Sequence, residues 1–195
     1  MHIHAIPANE YRRERWKNGL GWTREIVRSP VGAEDWDWRL SIAEIDRDCD
    51  FSTFDGVDRI LVLLGGEGMR LEFADGERVE LHPPYGHVAF AGERALHCRL
   101  LAGPTRDFNL MWRRGRIQAE LMRRPLVGPM VFFAEAGVSW AVHVLAGRAH
   151  FQDRPEAATL EAGDTAVLSA PAAGEPARVI LSGGGELLVI RLRRR

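Results

Sequence analysis

The sequence predicts an all-β protein built as two β units, and three observations predict it. Apolar residues recur at every second position in several segments, the pattern of strands with one face buried. Glycine and proline corners punctuate these segments at short intervals. No stretch carries the long, capped apolar stripe of an amphipathic helix. Many short strands between Gly/Pro corners favour sandwiches or barrels.

Taken in order, at most a short helix is expected among the strands, near 8–15 or 116–123. Over 36–43, Trp36, Trp38, Leu40 and Ile42 face one way, and Asp37, Arg39, Ser41 and Ala43 the other. The run 59–64 is continuously apolar, as in a strand buried on both faces. Met69, Leu71 and Phe73 alternate with Arg70 and Glu72; Asp75-Gly76 then supplies a tight hairpin, and Val79 and Leu81 continue the returning strand. Over 107–112, Phe108, Leu110 and Trp112 oppose Asp107, Asn109 and Met111. The runs 139–145 and 186–192 again read as strands buried on both faces.

A weak internal repeat organises these elements. Residues 61–90 run through an apolar strand, Gly65-Gly66, a hairpin and the Pro84–Gly86 corner. Residues 140–168 run through an apolar strand, Gly147, a polar turn near Asp153–Pro155 and the Gly163-Asp164 corner. Two units are therefore expected, 1–114 and 115–195, joined near 113–130 where arginines and prolines cluster. The second is rich in Ala, Gly and Pro and poor in catalytic residue types, so it reads as structural.

Composition narrows the function. A formal net charge of -1 over 195 residues gives no broad attraction to nucleic acid or anionic membrane. No run of about 18 apolar residues spans a bilayer, and the N-terminus lacks the apolar stretch of a secretory signal, so a cytoplasmic location is expected. Two cysteines, Cys49 and Cys98, make no disulfide framework, although one bridge stays open. The C-terminal arginines read as a solvated tail. Of 26 basic residues only Lys17 is lysine. A chain this biased towards arginine keeps lysine where a compact ammonium is needed, or by chance.

The densest polar and aromatic cluster is 16–26, WKNGLGWTREI. Gly19 and Gly21 permit a tight turn. Lys17 and Asn18 precede it, and Thr23 and Glu25 share one face of the following strand. Together they can present an ammonium, an amide, a hydroxyl and a carboxylate to one small polar ligand. The plain alternative is a turn whose side chains satisfy one another. Arg39 with Ser41, and Asp107 with Asn109, are polar pairs at i and i+2. Such pairs line the interior of a small barrel or face solvent. The histidines fall into no metal-ligand spacing, and no G-x-S-x-G elbow or phosphate loop is present.

The motifs WKNGLGWTREI, WRLSIA, FSTFDGVDRILVLLGGEGMRL, FAGE and LLAGPTRDFNLMWRR, in order over 16–114, resemble the HutD/Ves family. The C-terminal half is compatible but less marked. The resemblance implies a double-stranded β-helix of the RmlC-like cupin type, a bicupin of two packed barrel-like lobes. It also implies a regulatory or accessory role in bacterial histidine utilisation rather than an established enzyme activity. Metal-binding cupins carry His-x-His and a glutamate six residues before a closing glycine. Here the glutamate slot, counted from Gly65, holds Arg59, and the histidine slots fall at 52–55, which contains no histidine. The later slots hold Ala89 and, in the second lobe, Ala166.

No metal and no cofactor are therefore expected. Arginine in a carboxylate's place favours an anion, unless Arg59 pairs with Asp58, Asp55 or Asp107. The expected ligand set is Lys17, Asn18, Thr23, Glu25, Arg39, Ser41, Arg59, Asp107 and Asn109, around a small carboxylate such as histidine, urocanate or a formyl- or formimino-glutamate. The expected partners are that metabolite and, as an option, a second copy through a sheet edge, with neither nucleic acid nor membrane. Two other readings stand beside it. One is a hydrolase or isomerase using Glu25 or Asp107 as acid or base. The other is a protein-interaction module anchored by exposed Trp16 and Trp22.

Overall fold

The computed structural model describes residues 1–16, 21–152, 154, 157, 159–170 and 177–195. Regular structure among them is all strand, apart from one 3-10 turn at Ala8–Glu10. No helix among the described residues is long and apolar enough to cross a membrane. The chain divides into a unit of Tyr11–Arg116 and a unit of Met1–Glu10 with Ile117–Arg195.

The N-terminal strand β1 (His2–Ile6) belongs to the second unit. Read from sequence with the first lobe, it pairs instead with a strand at 165–169, His2 opposite Ser169 and Ile6 opposite Thr165. The backbone of Ala8 then donates to Asp164 Oδ1 at 2.8 Å, which fixes the exit from that strand.

The unit 11–116 holds two antiparallel sheets. The larger runs in the order β2-β3-β4-β11-β6-β9, where β2 is Arg12–Arg15, β3 Gly21–Ser29, β4 Trp38–Ile45, β6 Val57–Gly65, β9 His87–Ala91 and β11 Thr105–Arg113. The smaller runs β5-β10-β7-β8, from β5 (Cys49–Asp50), β7 (Met69–Phe73), β8 (Arg78–Leu81) and β10 (Leu96–Leu100). The Asp75-Gly76 hairpin forms as expected: Gly76 takes φ 95° and its N–H reaches Phe73 O at 2.9 Å. Alternate side chains of the two sheets meet in one core, including Ile45, Leu61, Leu63, Met69, Leu71, Phe73, Leu81 and Phe90.

The helix expected near 8–15 is only the 3-10 turn followed by strand β2. In β2 the charged residues Arg12–Arg15 pair with β3, where a sheet edge keeps their heads in water. Just after this strand, Lys17, Asn18 and the Gly19 turn lie outside the described residues.

Gly66 shows how tightly β6 is closed. It takes φ 95°, and an added Cβ would stand 2.6 Å from Pro104 O and 2.8 Å from Thr105 Cγ2. Gly66→Ala is expected to cost roughly 2 kcal/mol in urea unfolding, from the left-handed backbone and the backbone contact together.

The second unit is built on one sheet in the order β1-β16-β14-β17-β12. Its strands are β12 (Ile117–Leu126), β13 (Met130–Phe133), β14 (Val138–Phe151), β15 (Leu160–Glu161), β16 (Thr165–Ser169) and β17 (Arg178–Arg194). β13 also pairs with β17, and β15 with β14. The helix expected near 116–123 is β12, because ten consecutive residues pair with β17. The runs 141–144, with His143 among them, and 187–190 are buried at every position, as strands covered on both faces should be.

Candidate functional site

The polar residues singled out along the first unit lie in adjoining rows of the six-stranded sheet. Thr23, Ala43, Asp107 and Leu63 stand side by side in one row. The next holds Glu25, Ser41, Asn109 and Leu61, and the third Arg39, Met111, Arg59 and Phe90. Leu61, Leu63 and Phe90 point into the core, so this is the interior face. Burial decides between an interior and a solvated face: Ser41 is 3% exposed, Arg59 4%, Asn109 7% and Asp107 0%.

A cavity of about 680 Å³ opens on these rows, within the range that holds a small metabolite. Thr23, Arg39, Ser41, Arg59 and Asn109 line its floor, with Met111. Trp16 forms one wall, its indole N–H donating to Thr23 Oγ1 at 2.8 Å and its ring edge-on to Phe51 at 6.1 Å. The segment of Asp50, Phe51, Ser52 and Phe54 forms another.

Arg59 is the central group. Its guanidinium lies 5.1 Å from the ring centre of Phe90, 5.5 Å from Phe51 and 5.7 Å from Phe54. The rings' negative faces attract the cation but leave its N–H groups unused. Its Nη1 makes a long hydrogen bond to Ser52 O at 3.4 Å, and its Nε–H has no acceptor among the described residues. Among the described residues no carboxylate hydrogen-bonds to it. Asp58 accepts from Arg114 at 2.9 Å, and Arg113 Nη1 donates to the backbone carbonyl of Asp55 at 3.1 Å. Asp107 feels Arg59's charge without a hydrogen bond to it. Burial pulls the Arg59 pKa down to about 10, against the attraction of Asp107.

Asp107 lies beneath the cavity rather than in its wall. Both carboxylate oxygens are buried and have no hydrogen-bond partner among the described residues. Burial pushes its pKa up to about 7, and Arg59's charge only partly opposes this. Asn109 Oδ1 is likewise buried without a partner, but Asn109 does line the cavity.

Glu25 is placed differently from its expected role. Its side chain does not line the cavity but turns to Arg28 and Arg39, with Arg28 Nε donating at 2.7 Å and Arg39 Nε at 2.6 Å. Burial raises its pKa, but these hydrogen bonds outweigh it and hold the carboxyl below its ordinary range. So held, it is a weak base and positions Arg39 instead. Trp22, expected as an exposed anchor, is half-buried under the Arg13 guanidinium, 4.1 Å from the ring centre.

Sequence reasoning missed the aromatic wall. Phe51 and Phe54 flank two polar residues in FSTF, where neither strand alternation nor turn chemistry explains two large aromatics. That mismatch was the available signal. Glu14, Arg15 and Asp50 at the cavity margin carried none. Among the described residues, no group of three or more His, Cys, Asp or Glu side chains is arranged to hold a metal ion. The two cysteines are buried and free, though directly opposite in β5 and β10.

Comparison with known proteins adds to this geometry. The family model HutD matches residues 8–189. The chain is 44% identical over 120 residues to an uncharacterised 21.2 kDa protein in the hutC 3′ region of Pseudomonas putida, 61% of this chain and 63% of that one. It is 38% identical over 122 residues to protein Ves of Citrobacter koseri, 61% and 60% of the two chains. It thus spans about three-fifths of the length of these curated relatives. The solved structure of HutD from Pseudomonas fluorescens is similar over 100% of both chains, with TM-score 0.84 and 32% identity. A conserved protein of unknown function from Pseudomonas aeruginosa matches with TM-score 0.81 and 29% identity, over 100% of this chain and 99% of that one. Protein Ylba from E. coli, at 9% identity and TM-score 0.72 over 100% and 91%, shows the fold alone. The fold is the all-β, cupin-like one.

Proposed function

The chain belongs to the HutD family, and from that premise we propose that it binds a small carboxylate-bearing metabolite as a regulatory or accessory factor in histidine or urocanate catabolism. The observation that carries this reading is Arg59: a buried cation on the floor of a cavity, ringed by three phenylalanines, with no carboxylate in hydrogen-bonding reach among the described residues. A ligand carboxylate there gains charge-assisted hydrogen bonds that water cannot match at low local polarity. Arg39, Ser41, Thr23 and Asn109 offer donors and acceptors for its remaining polar groups. Trp16, Phe51 and Phe54 offer apolar surface for its body.

Thermal-shift and calorimetric titration with histidine, urocanate, formylglutamate and formiminoglutamate tests this. At least one acid is expected to bind at sub-millimolar concentration, and its methyl ester at least about tenfold more weakly. No binding of any of them at millimolar concentration would remove the ligand assignment.

A second reading, acid–base chemistry by Asp107, is favoured by one observation, its pKa near 7. Its position beneath the cavity wall counts against direct proton transfer. Magnetic resonance spectra of the bound acid after long incubation separate the two: unaltered spectra support binding, and a new product supports turnover.

A further inference from the structure

β12 and β13 lie along the same side of β17 in one continuous register. Ile117 faces Arg194, Leu126 faces Gly185, and Met130 to Phe133 continue opposite Leu181 to Arg178. They form an outer edge of the sheet, since among the described residues β12 pairs with β17 alone. Such an edge presents unpaired backbone groups to any strand that fits.

Its exposed side chains mix apolar and charged residues. Met122 is 36% exposed, and Val127, just past β12, is 90% exposed. Glu120, Met122 and Arg124 share one face by the two-residue period. Glu120 and Arg124 are four residues apart, so about 13 Å separates them along the strand and they cannot pair with each other. Neither has an ion-pair partner among the described residues. Arg123, by contrast, is satisfied within the chain by Glu186 at 3.0 Å.

We propose that this edge joins two copies of the chain, β12 pairing antiparallel with itself about Met122. A twofold axis there sets Met122 against its own copy. Glu120 of each subunit then stands opposite Arg124 of the partner subunit, so both unpaired charges are matched, twice. Val127 falls opposite Ile117 of the partner subunit. Pro125, which lacks an N–H, falls opposite Ala119 of the partner subunit twice over, so the ladder lacks that donor at two positions. A different partner strand would need both an acid and a base at this spacing. A second copy supplies them automatically.

Sedimentation or light scattering on the full chain across a concentration series tests the register by charge swapping. Wild type is expected to dimerise. E120R and R124E should each raise the dimer dissociation constant by at least about tenfold, since each puts like charges opposite one another twice. The double variant E120R/R124E should restore it. These positions are exposed, and circular dichroism checks that each variant is folded. A monomer at every concentration up to millimolar, a dimer indifferent to the single reversals, or a double variant no better than the singles would overturn the proposal. None of these outcomes depends on whether the cavity binds a carboxylate.

Discussion

Replacing Arg59 with methionine is expected to weaken carboxylate binding by about a hundredfold or more while leaving the protein folded. Losing one partner of a buried, hydrogen-bonded charge pair typically costs about 2–5 kcal/mol, or roughly thirtyfold to several thousandfold in affinity. The folding side of the expectation follows from the surroundings of Arg59. Its guanidinium is poorly satisfied in the free protein, so an apolar side chain of similar length among Phe51, Phe54 and Phe90 removes a desolvated cation without removing a strong hydrogen bond. Asp107 loses the one attraction that opposes its burial, so its pKa rises further and it stays protonated at neutral pH. No uncompensated charge is left behind. Calorimetric titration and thermal unfolding of the same sample check both halves. Arg59→Lys keeps the charge but not the planar fork, and should fall between wild type and methionine.

Asp107→Asn is expected to stabilise the protein at pH 8 and by well under half as much at pH 5. The folded pKa of Asp107, about 7, lies above its ordinary 3.8. Between these values the folded state holds a proton that the unfolded chain has released. Stability therefore falls as pH rises from about 4 to 7 and then levels off. A displacement of about three units corresponds to a ceiling of roughly 4 kcal/mol. Asparagine cannot ionise, so the variant lacks this slope. The gain at pH 8 should be of the order of 2–4 kcal/mol by urea unfolding. An equal difference at pH 5 and pH 8 would show that the carboxyl does not titrate in this window.

How far these features could be read in advance depended on the chemistry of each segment. The Asp75-Gly76 hairpin was legible because only a few residue pairs tolerate that backbone. The polar rows on β3, β4 and β11 were legible as rows, since Arg39 with Ser41 and Asp107 with Asn109 keep the two-residue period. Which side faced inward was not, because alternation is symmetric and burial is set by the second sheet. Glu25 illustrates the same limit. Its strand face was readable, but its capture by Arg28 required the bulge between Glu25 and Val27, which shifts the register locally. The strand at 117–126 and the pairing of His2–Ile6 with 165–169 depend on partners far along the chain, and local pattern carries no trace of them.

Arg59 is both a buried cation and part of the cavity floor. The most direct test of its role is a crystal structure of the protein with the tightest-binding acid from the titration series. The ligand carboxylate is expected within about 3 Å of the Arg59 guanidinium nitrogens, with its body against Phe51 and Trp16. A carboxylate bound elsewhere in the molecule, with the Arg59 guanidinium still facing only its phenylalanines, would contradict it.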